Sequence, residues 1–190
     1  GSTYLYSNIG YSVLGRIIER VSGQSYEQYV KENVLEPAGI SRMELGHSPP
    51  VNDDEFIYRT NEETHLELYD AAGGWVASAP DLLRFLTDIE YGELRDSFND
   101  FEEACEDGES PCYRFGWYLN ERGKRSHSGS LTGTRSYMEW NPDDQLSWAI
   151  IFNKRPHDSD LFLSEVKSSL NATIRSIPTW PEGDLFDSLP

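Results

Sequence analysis

Arg135-Ser136-Tyr137-Met138-Glu139-Trp140 runs into Asn141-Pro142-Asp143-Asp144 and returns through Leu146-Ser147-Trp148-Ala149-Ile150-Ile151-Phe152, and this stretch decides the fold. Aromatic and β-branched residues fill both arms, while the Asn-Pro-Asp-Asp cluster has turn chemistry, so the stretch reads as an antiparallel hairpin. Upstream, Phe115, Trp117 and Leu119 alternate, which extends the hairpin into a meander. Downstream, a helix is predicted from about Ser159, with Phe162, Val166, Leu170, Ile174 and Ile177 forming a stripe that covers one face of the sheet.

Before residue 95 the apolar period is helical. Val13, Leu14, Ile17, Ile18 and Val21 recur at helical spacing, with Ser7 or Asn8 as cap and Gly23 at the C-terminal end. Ser25 and Gln28 open a second helix carrying Tyr26, Tyr29, Val30 and Val34, which Pro37 and Gly39 terminate. Residues 46–70 show little periodicity and read as a long surface excursion. Gly73-Gly74 makes a tight turn, and Ser78, Pro80 and Asp81 start a third helix that buries Leu82, Leu83, Phe85, Leu86 and Ile89. The expected fold class is α+β: a helical region, then an antiparallel β-meander covered by a C-terminal helix. One domain, 1–178, is expected, comprising a helical region 5–95, an acidic insertion 96–112, and the sheet with its closing helix, 113–178. Residues 179–190 read as an irregular tail.

The chain has 190 residues, of which 37% are hydrophobic, enough for a core without metal or disulfide staples. Sixteen Lys+Arg against 33 Asp+Glu leave a formal charge of −17, which argues against a nucleic-acid partner. No apolar run approaches the ~20 residues of a membrane span. Cys105 and Cys112 permit either a local disulfide or two free thiols. His47, His65 and His157 are scattered singly and form no metal-ligand set, so no metal site is expected.

The segment Tyr6-Ser7-Asn8-Ile9-Gly10-Tyr11-Ser12-Val13-Leu14-Gly15 resembles the YxN motif and following helix of the serine β-lactamase-related family, which spans class C β-lactamases, penicillin-binding DD-peptidases and related esterases. Agreement continues in family order through Val21-Ser22-Gly23-Gln24-Ser25-Tyr26, Leu35-Glu36-Pro37-Ala38-Gly39-Ile40 and Ala72-Gly73-Gly74-Trp75-Val76-Ala77-Ser78. His127-Ser128-Gly129-Ser130, continued to Gly133, resembles the HxG form of the family's KTG strand motif. The resemblance runs from Tyr6 to about Ile177 and implies a partial β-lactamase/transpeptidase-like fold.

It also implies roles. A tyrosine oxygen takes the proton of a serine nucleophile, an asparagine amide orients the substrate, and a strand N–H holds the oxyanion. By resemblance these fall to Tyr6, Asn8 and the N–H of Ser130, with Gly129 beside it and His127 lining the same cleft. The S-x-x-K motif that supplies serine and lysine is expected upstream of Tyr6, so this chain alone is expected to be inactive. The string Ser164-Glu165-Val166-Lys167 is read as a decoy, because Ser164 lies off the apolar stripe of its helix. Implied substrates are a β-lactam, a D-amino-acid peptide or a small ester, with no cofactor. The competing reading is a non-catalytic interaction module, pairing with an upstream segment or with itself through an exposed sheet edge. The family resemblance favours a periplasmic or secreted location.

Overall fold

The computed structural model describes residues 4–48, 50, 55–56, 65–95 and 111–183. Helix α1, Asn8–Ser22, begins where the Ser7 hydroxyl accepts the Gly10 N–H at 3.1 Å, satisfying one of the donors that a helix start leaves unpaired. Gly23 closes it in the left-handed conformation, its N–H on the Glu19 carbonyl. The sequence stripe on this helix is not a core face. Leu5 ahead of it is 84% exposed, Ile9 is 78% exposed, and Val13, Leu14, Ile17 and Val21 are all exposed, while Gly15 is its buried residue. The helix is held from its other side, where Gly15 meets Ala71 and Arg16 pairs with Asp70.

Helix α2, Tyr26–Val30, starts on Ser25 and passes into a π-helical turn, Lys31–Leu35, in which the Glu36 N–H reaches the Lys31 carbonyl at 2.9 Å. A single uninterrupted helix to Pro37 is therefore not what forms. The widened turn delivers Leu35 to a buried cluster with Ile40 and Met43. Of the predicted excursion 46–70, residue 49 and most of 51–64 lie outside the described residues. Around it, β1 (Glu44–Leu45) pairs antiparallel with β2 (Trp75–Val76), a two-residue ribbon too short to leave a sequence signal.

Helix α3, Ala79–Tyr91, opens with a capping box in which Ser78 and Asp81 satisfy each other's backbone N–H groups. Leu86 and Ile89 on α3 pack into the main core with Cys112, Trp117, Leu119 and Trp140. Those last four come from a five-stranded antiparallel sheet, ordered β3 (Cys112–Arg114), β4 (Trp117–Leu119), β5 (Arg125–Leu131), β6 (Thr134–Asn141) and β7 (Leu146–Phe152). The expected meander is therefore present, with one correction. Phe115 is not a strand residue: with Gly116 it forms the turn between β3 and β4, both at positive φ (46° and 87°). Positive φ at both central positions is what a type I′ two-residue turn demands, and Gly116 was its signal. Cys112 is thus the first residue of β3 and is disulfide-bonded; Cys105 and the rest of 96–110 lie outside the described residues.

The last helix, α4, Ser159–Arg175, covers the opposite side of the sheet, where Leu163, Leu170 and Ile174 surround Tyr137 and Trp148 and Phe162 stacks edge-on to Phe152. The covered stripe keeps the predicted Phe162, Leu170 and Ile174 and adds two residues to them. Leu163 is its buried residue and Lys167 lies in it, with Nζ 4.2 Å from the centre of the Tyr137 ring. Residues 184–190 of the tail lie outside the described residues.

Candidate active site

Two strands of unequal reach create the site. β4 pairs with β5 only at Tyr118↔Ser126 and Leu119↔Arg125, whereas β5 pairs with β6 along its whole length, from Arg125↔Trp140 to Leu131↔Thr134. From His127 onward, one edge of β5 is therefore unpaired among the described residues. The alternation of an antiparallel ladder says which groups use that edge. Leu131 and Thr134 flank a two-residue turn and form the hydrogen-bonded pair that closes it, so Gly129↔Ser136 is bonded as well and Ser130↔Arg135 is not. The Ser130 N–H consequently points away from β6, toward the open edge. Gly129 keeps this stretch narrow: a Cβ there would stand 2.4 Å from the Ser136 hydroxyl oxygen.

Aromatic side chains gather at the same edge. Tyr6, one residue ahead of the Ser7 cap, sets its ring centre 6.5 Å from that of His127 and 5.4 Å from that of Tyr113, edge-on to the latter. The Tyr113 hydroxyl lies 3.1 Å from His127 Nε2, and the Tyr118 ring stands 4.8 Å from Tyr113 and 5.9 Å from His127. Tyr4 adds a fourth ring, 5.9 Å from Tyr113, and the Tyr11 hydroxyl reaches Tyr113 as well. Three phenols, Tyr6, Tyr113 and Tyr118, thus meet one imidazole, and Tyr4 and Tyr11 lie against Tyr113.

The electrostatics follow from this crowding. Burial lowers the His127 pKa against an opposing hydrogen bond at the Ser128 backbone, so the ring is held toward its neutral form. Burial first, then the neighbouring phenols Tyr118 and Tyr11, raise the Tyr6 pKa, and the hydrogen bond with Tyr113 only partly offsets them. Tyr113 is pushed far above the ordinary phenol range, again by burial first. Tyr6 is accordingly a proton-carrying phenol in this chain. To serve as a base it needs a cation brought close to its oxygen.

Of the residues singled out in the sequence, Tyr6 and His127 are brought together, with Gly129 and Ser130 further along the same open strand edge. Asn8 opens α1 two residues from Tyr6, exposed, its carbonyl accepting from the Ser12 hydroxyl at 3.3 Å. Ser164 is exposed on α4, and Lys167 reaches Tyr137, which alternates with the His127↔Met138 pair and so faces the other side of the sheet. Sequence reasoning missed Tyr113. Its signal was the Phe115-Gly116 turn, which would have paired it with Tyr118 across a hairpin. Among the described residues no group of His, Cys, Asp and Glu could hold a metal ion, and no helix is long and apolar enough to cross a membrane.

Penicillin-binding protein 4* of Bacillus subtilis is 27% identical over 179 residues, an alignment covering 80% of this chain and 40% of that protein. The octameric penicillin-binding protein homologue from Pyrococcus abyssi superposes with a TM-score of 0.64 at 26% identity, over 90% of this chain and 43% of that one. The D-amino acid amidase of Ochrobactrum anthropi SV3 shares the fold at a TM-score of 0.70 and 20% identity, over 92% of this chain and 59% of that one. The chain thus spans about two fifths of the curated relative's length. The family model for beta-lactamase matches residues 1–166, and the chain belongs to that serine β-lactamase and penicillin-binding-protein family.

Proposed function

We propose that this chain supplies the base, substrate-orienting and oxyanion-holding part of a β-lactamase-related serine hydrolase, which cleaves an amide or ester through an acyl-enzyme. Tyr6 takes the proton of the attacking serine, the Asn8 amide orients the scissile group, the Ser130 N–H holds the oxyanion, and His127 lines the cleft. The serine and its lysine come from outside these residues. The observation that carries the reading is the 6.5 Å approach of the Tyr6 and His127 rings beside the open edge of β5. The raised Tyr6 pKa supports inactivity of the chain alone, since a phenol without a nearby ammonium keeps its proton. Relatives named as penicillin-binding proteins favour a β-lactam or D-amino-acid peptide over a simple ester. The test is a fluorescent penicillin offered to the 190-residue chain, alone and mixed with a separately produced segment carrying S-x-x-K. No labelling alone and labelling of the added serine on mixing are expected. Labelling of Ser164 or any other serine of the chain alone overturns the assignment.

One observation favours a second reading, an interaction module that pairs through its bare surfaces. Leu5, Ile9, Val13, Leu14, Ile17 and Val21 are exposed along α1, and an apolar stripe of that size marks a contact surface. Sedimentation separates the readings: a concentration-independent monomer removes self-pairing, whereas a stable dimer that resists the added segment favours it.

A further inference from the structure

A buried cation stands behind the open edge of β5. Arg135, the second residue of β6, is 6% exposed; its Nη1 donates to the Gly129 carbonyl at 3.3 Å and its Nη2 to Asp160 Oδ1, in the first turn of α4, at 2.9 Å. The ion pair is lopsided. The Asp160 side chain is 93% exposed, so a guanidinium that served this carboxylate alone could stay in water beside it. Instead the guanidinium is buried, at the cost of an Nε with no hydrogen-bond partner among the described residues. What that burial gains is the contact with Gly129. The Gly129 carbonyl and the Ser130 N–H are two ends of one planar trans peptide, so they point to opposite sides. The carbonyl faces β6, in the bonded pair Gly129↔Ser136, and the N–H faces the open edge. A donor on the carbonyl oxygen draws electrons toward it and leaves the N–H at the other end more positive, and a charged donor does so more strongly than a neutral one.

We propose that Arg135 is a positioning residue that acts through the Gly129–Ser130 peptide: its guanidinium holds the carbonyl end and so strengthens the Ser130 N–H as an oxyanion donor. Arg135 itself touches no substrate in this arrangement, because the peptide stands between them. Full negative charge on the substrate oxygen exists in the tetrahedral intermediate and not in the bound amide or ester, so a stronger N–H favours the acylation step over binding. The catalytic consequence rests on the hydrolase reading of the cleft, whereas the polarised peptide does not.

Two measurements use the 190-residue chain by itself. In 15N-arginine spectra of the parent, Nη1 and Nη2 of Arg135 are held by different acceptors and should give separate, slowly interchanging signals. A single averaged signal overturns the positioning role, whether or not any variant folds. The second measurement is hydrogen exchange at the Ser130 amide, an exposed residue whose N–H lies on the unpaired edge. Arg135→Met should slow its base-catalysed exchange at least about threefold, because a nearby cation stabilises the amide anion through which exchange passes. Mere loosening of the strand would speed it, so a purely structural role has the opposite sign. Lys167→Met removes a different cation from the same face of the sheet and should leave the Ser130 rate unchanged. Unchanged or faster exchange in Arg135→Met overturns the polarised peptide. Acylation by a fluorescent penicillin is then followed with the separately produced S-x-x-K segment added. In Arg135→Met the rate at saturation should fall about tenfold, less than the ~10²–10³ lost with a whole oxyanion donor. The half-saturating penicillin concentration should stay within about twofold of the parent value. An unchanged rate, or a loss carried by the half-saturating concentration, overturns the catalytic role with the cleft intact. Failure of the parent mixture to acylate removes the hydrolase reading and the catalytic role together, and the Ser130 exchange then decides the polarised peptide alone.

Discussion

Glu139 is 1% exposed in the middle of β6, with Lys124 Nζ 2.6 Å and the Tyr137 hydroxyl 2.7 Å from its Oε2, while Oε1 has no hydrogen-bond partner among the described residues. Lys124 immediately precedes β5, so the pair fastens the entry of the strand that carries His127, Gly129 and Ser130. Replacing Lys124 by Met removes the cation and leaves the carboxylate buried. Breaking a buried pair from one side costs about 3–5 kcal/mol. The Lys124 side chain is 27% exposed, so water already screens the pair, and Lys167 stands near enough to Glu139 to feel its charge. Both facts put the expected loss at the lower end, about 3 kcal/mol. Glu139→Gln keeps shape and frees Lys124 to reach water, for a loss of about 1–2 kcal/mol. The double variant should then lose at least ~1 kcal/mol less than the sum of the two single losses, because the uncompensated charge is gone. Equilibrium urea unfolding followed by tryptophan fluorescence measures all three. A Lys124→Met loss below about 1 kcal/mol, or additivity within about 0.5 kcal/mol, refutes the argument that this pair is a coupled internal unit.

Arg125 and Glu90 join β5 to α3 with both side chains largely buried. Burial raises the Glu90 pKa against the pull of Arg125, so the folded state binds the proton more readily than the unfolded one and gains from acid. Arg125→Met raises that pKa further, and its destabilisation should be largest near pH 8 and shrink toward pH 5 in unfolding series. For His127 the folded pKa is depressed, so its contribution is complete above the unfolded value of about 6.5 and falls as pH drops below it. His127→Gln should flatten that part of the stability–pH curve. A Cβ on Gly15 would lie 2.7 Å from the Ala71 Cβ, so Gly15→Ala should lower the melting temperature despite its better helix propensity. Gly15→Ala combined with Ala71→Gly should recover most of the loss.

The fold was legible where one local rule acted alone. Ser7 and Gly23 bound α1, Ser78 and Asp81 start α3, and the Asn141–Asp144 turn separates two rich strands, because caps and turns depend on chemistry within four residues. It was illegible where two rules overlap. The alternation of Phe115, Trp117 and Leu119 imitates one strand, yet Gly116 permits a reversal, and the reversal places Tyr113 on His127. The stripe on α4 was incomplete for a different reason: Lys167 enters the covered face by laying its cation on Tyr137, a partner 30 positions away that no helical period can announce. The site was legible in part. Tyr6 and His127 are recognisable by motif, and their approach follows from the short reach of β4, a pairing length written in no single segment.

The bare stripe on α1 bears on the site through Tyr6. Ile9, Val13 and Ile17 are four residues apart on one side of the helix, and each is more than half exposed, while the opposite side rests on the Asp70–Ala72 turn. Burying an aliphatic side chain contributes up to about 1.5–3 kcal/mol, so leaving three of them half in water forfeits several kcal/mol of the packing that holds a typical helix in place. Tyr6 and Asn8 lie at the start of this helix, whose Ile9–Val13–Ile17 side is bare, and helix ends open most easily. Hydrogen exchange on the chain alone should therefore show α1 amides exchanging faster than those of α3, which buries Leu86 and Ile89. On the hydrolase reading, a segment that covers the stripe steadies Tyr6 as it brings the serine, so α1 protection and acylation should rise together across a titration with that segment. Acylation that appears while α1 stays unprotected would separate the two and show that the helix face takes no part in assembling the site.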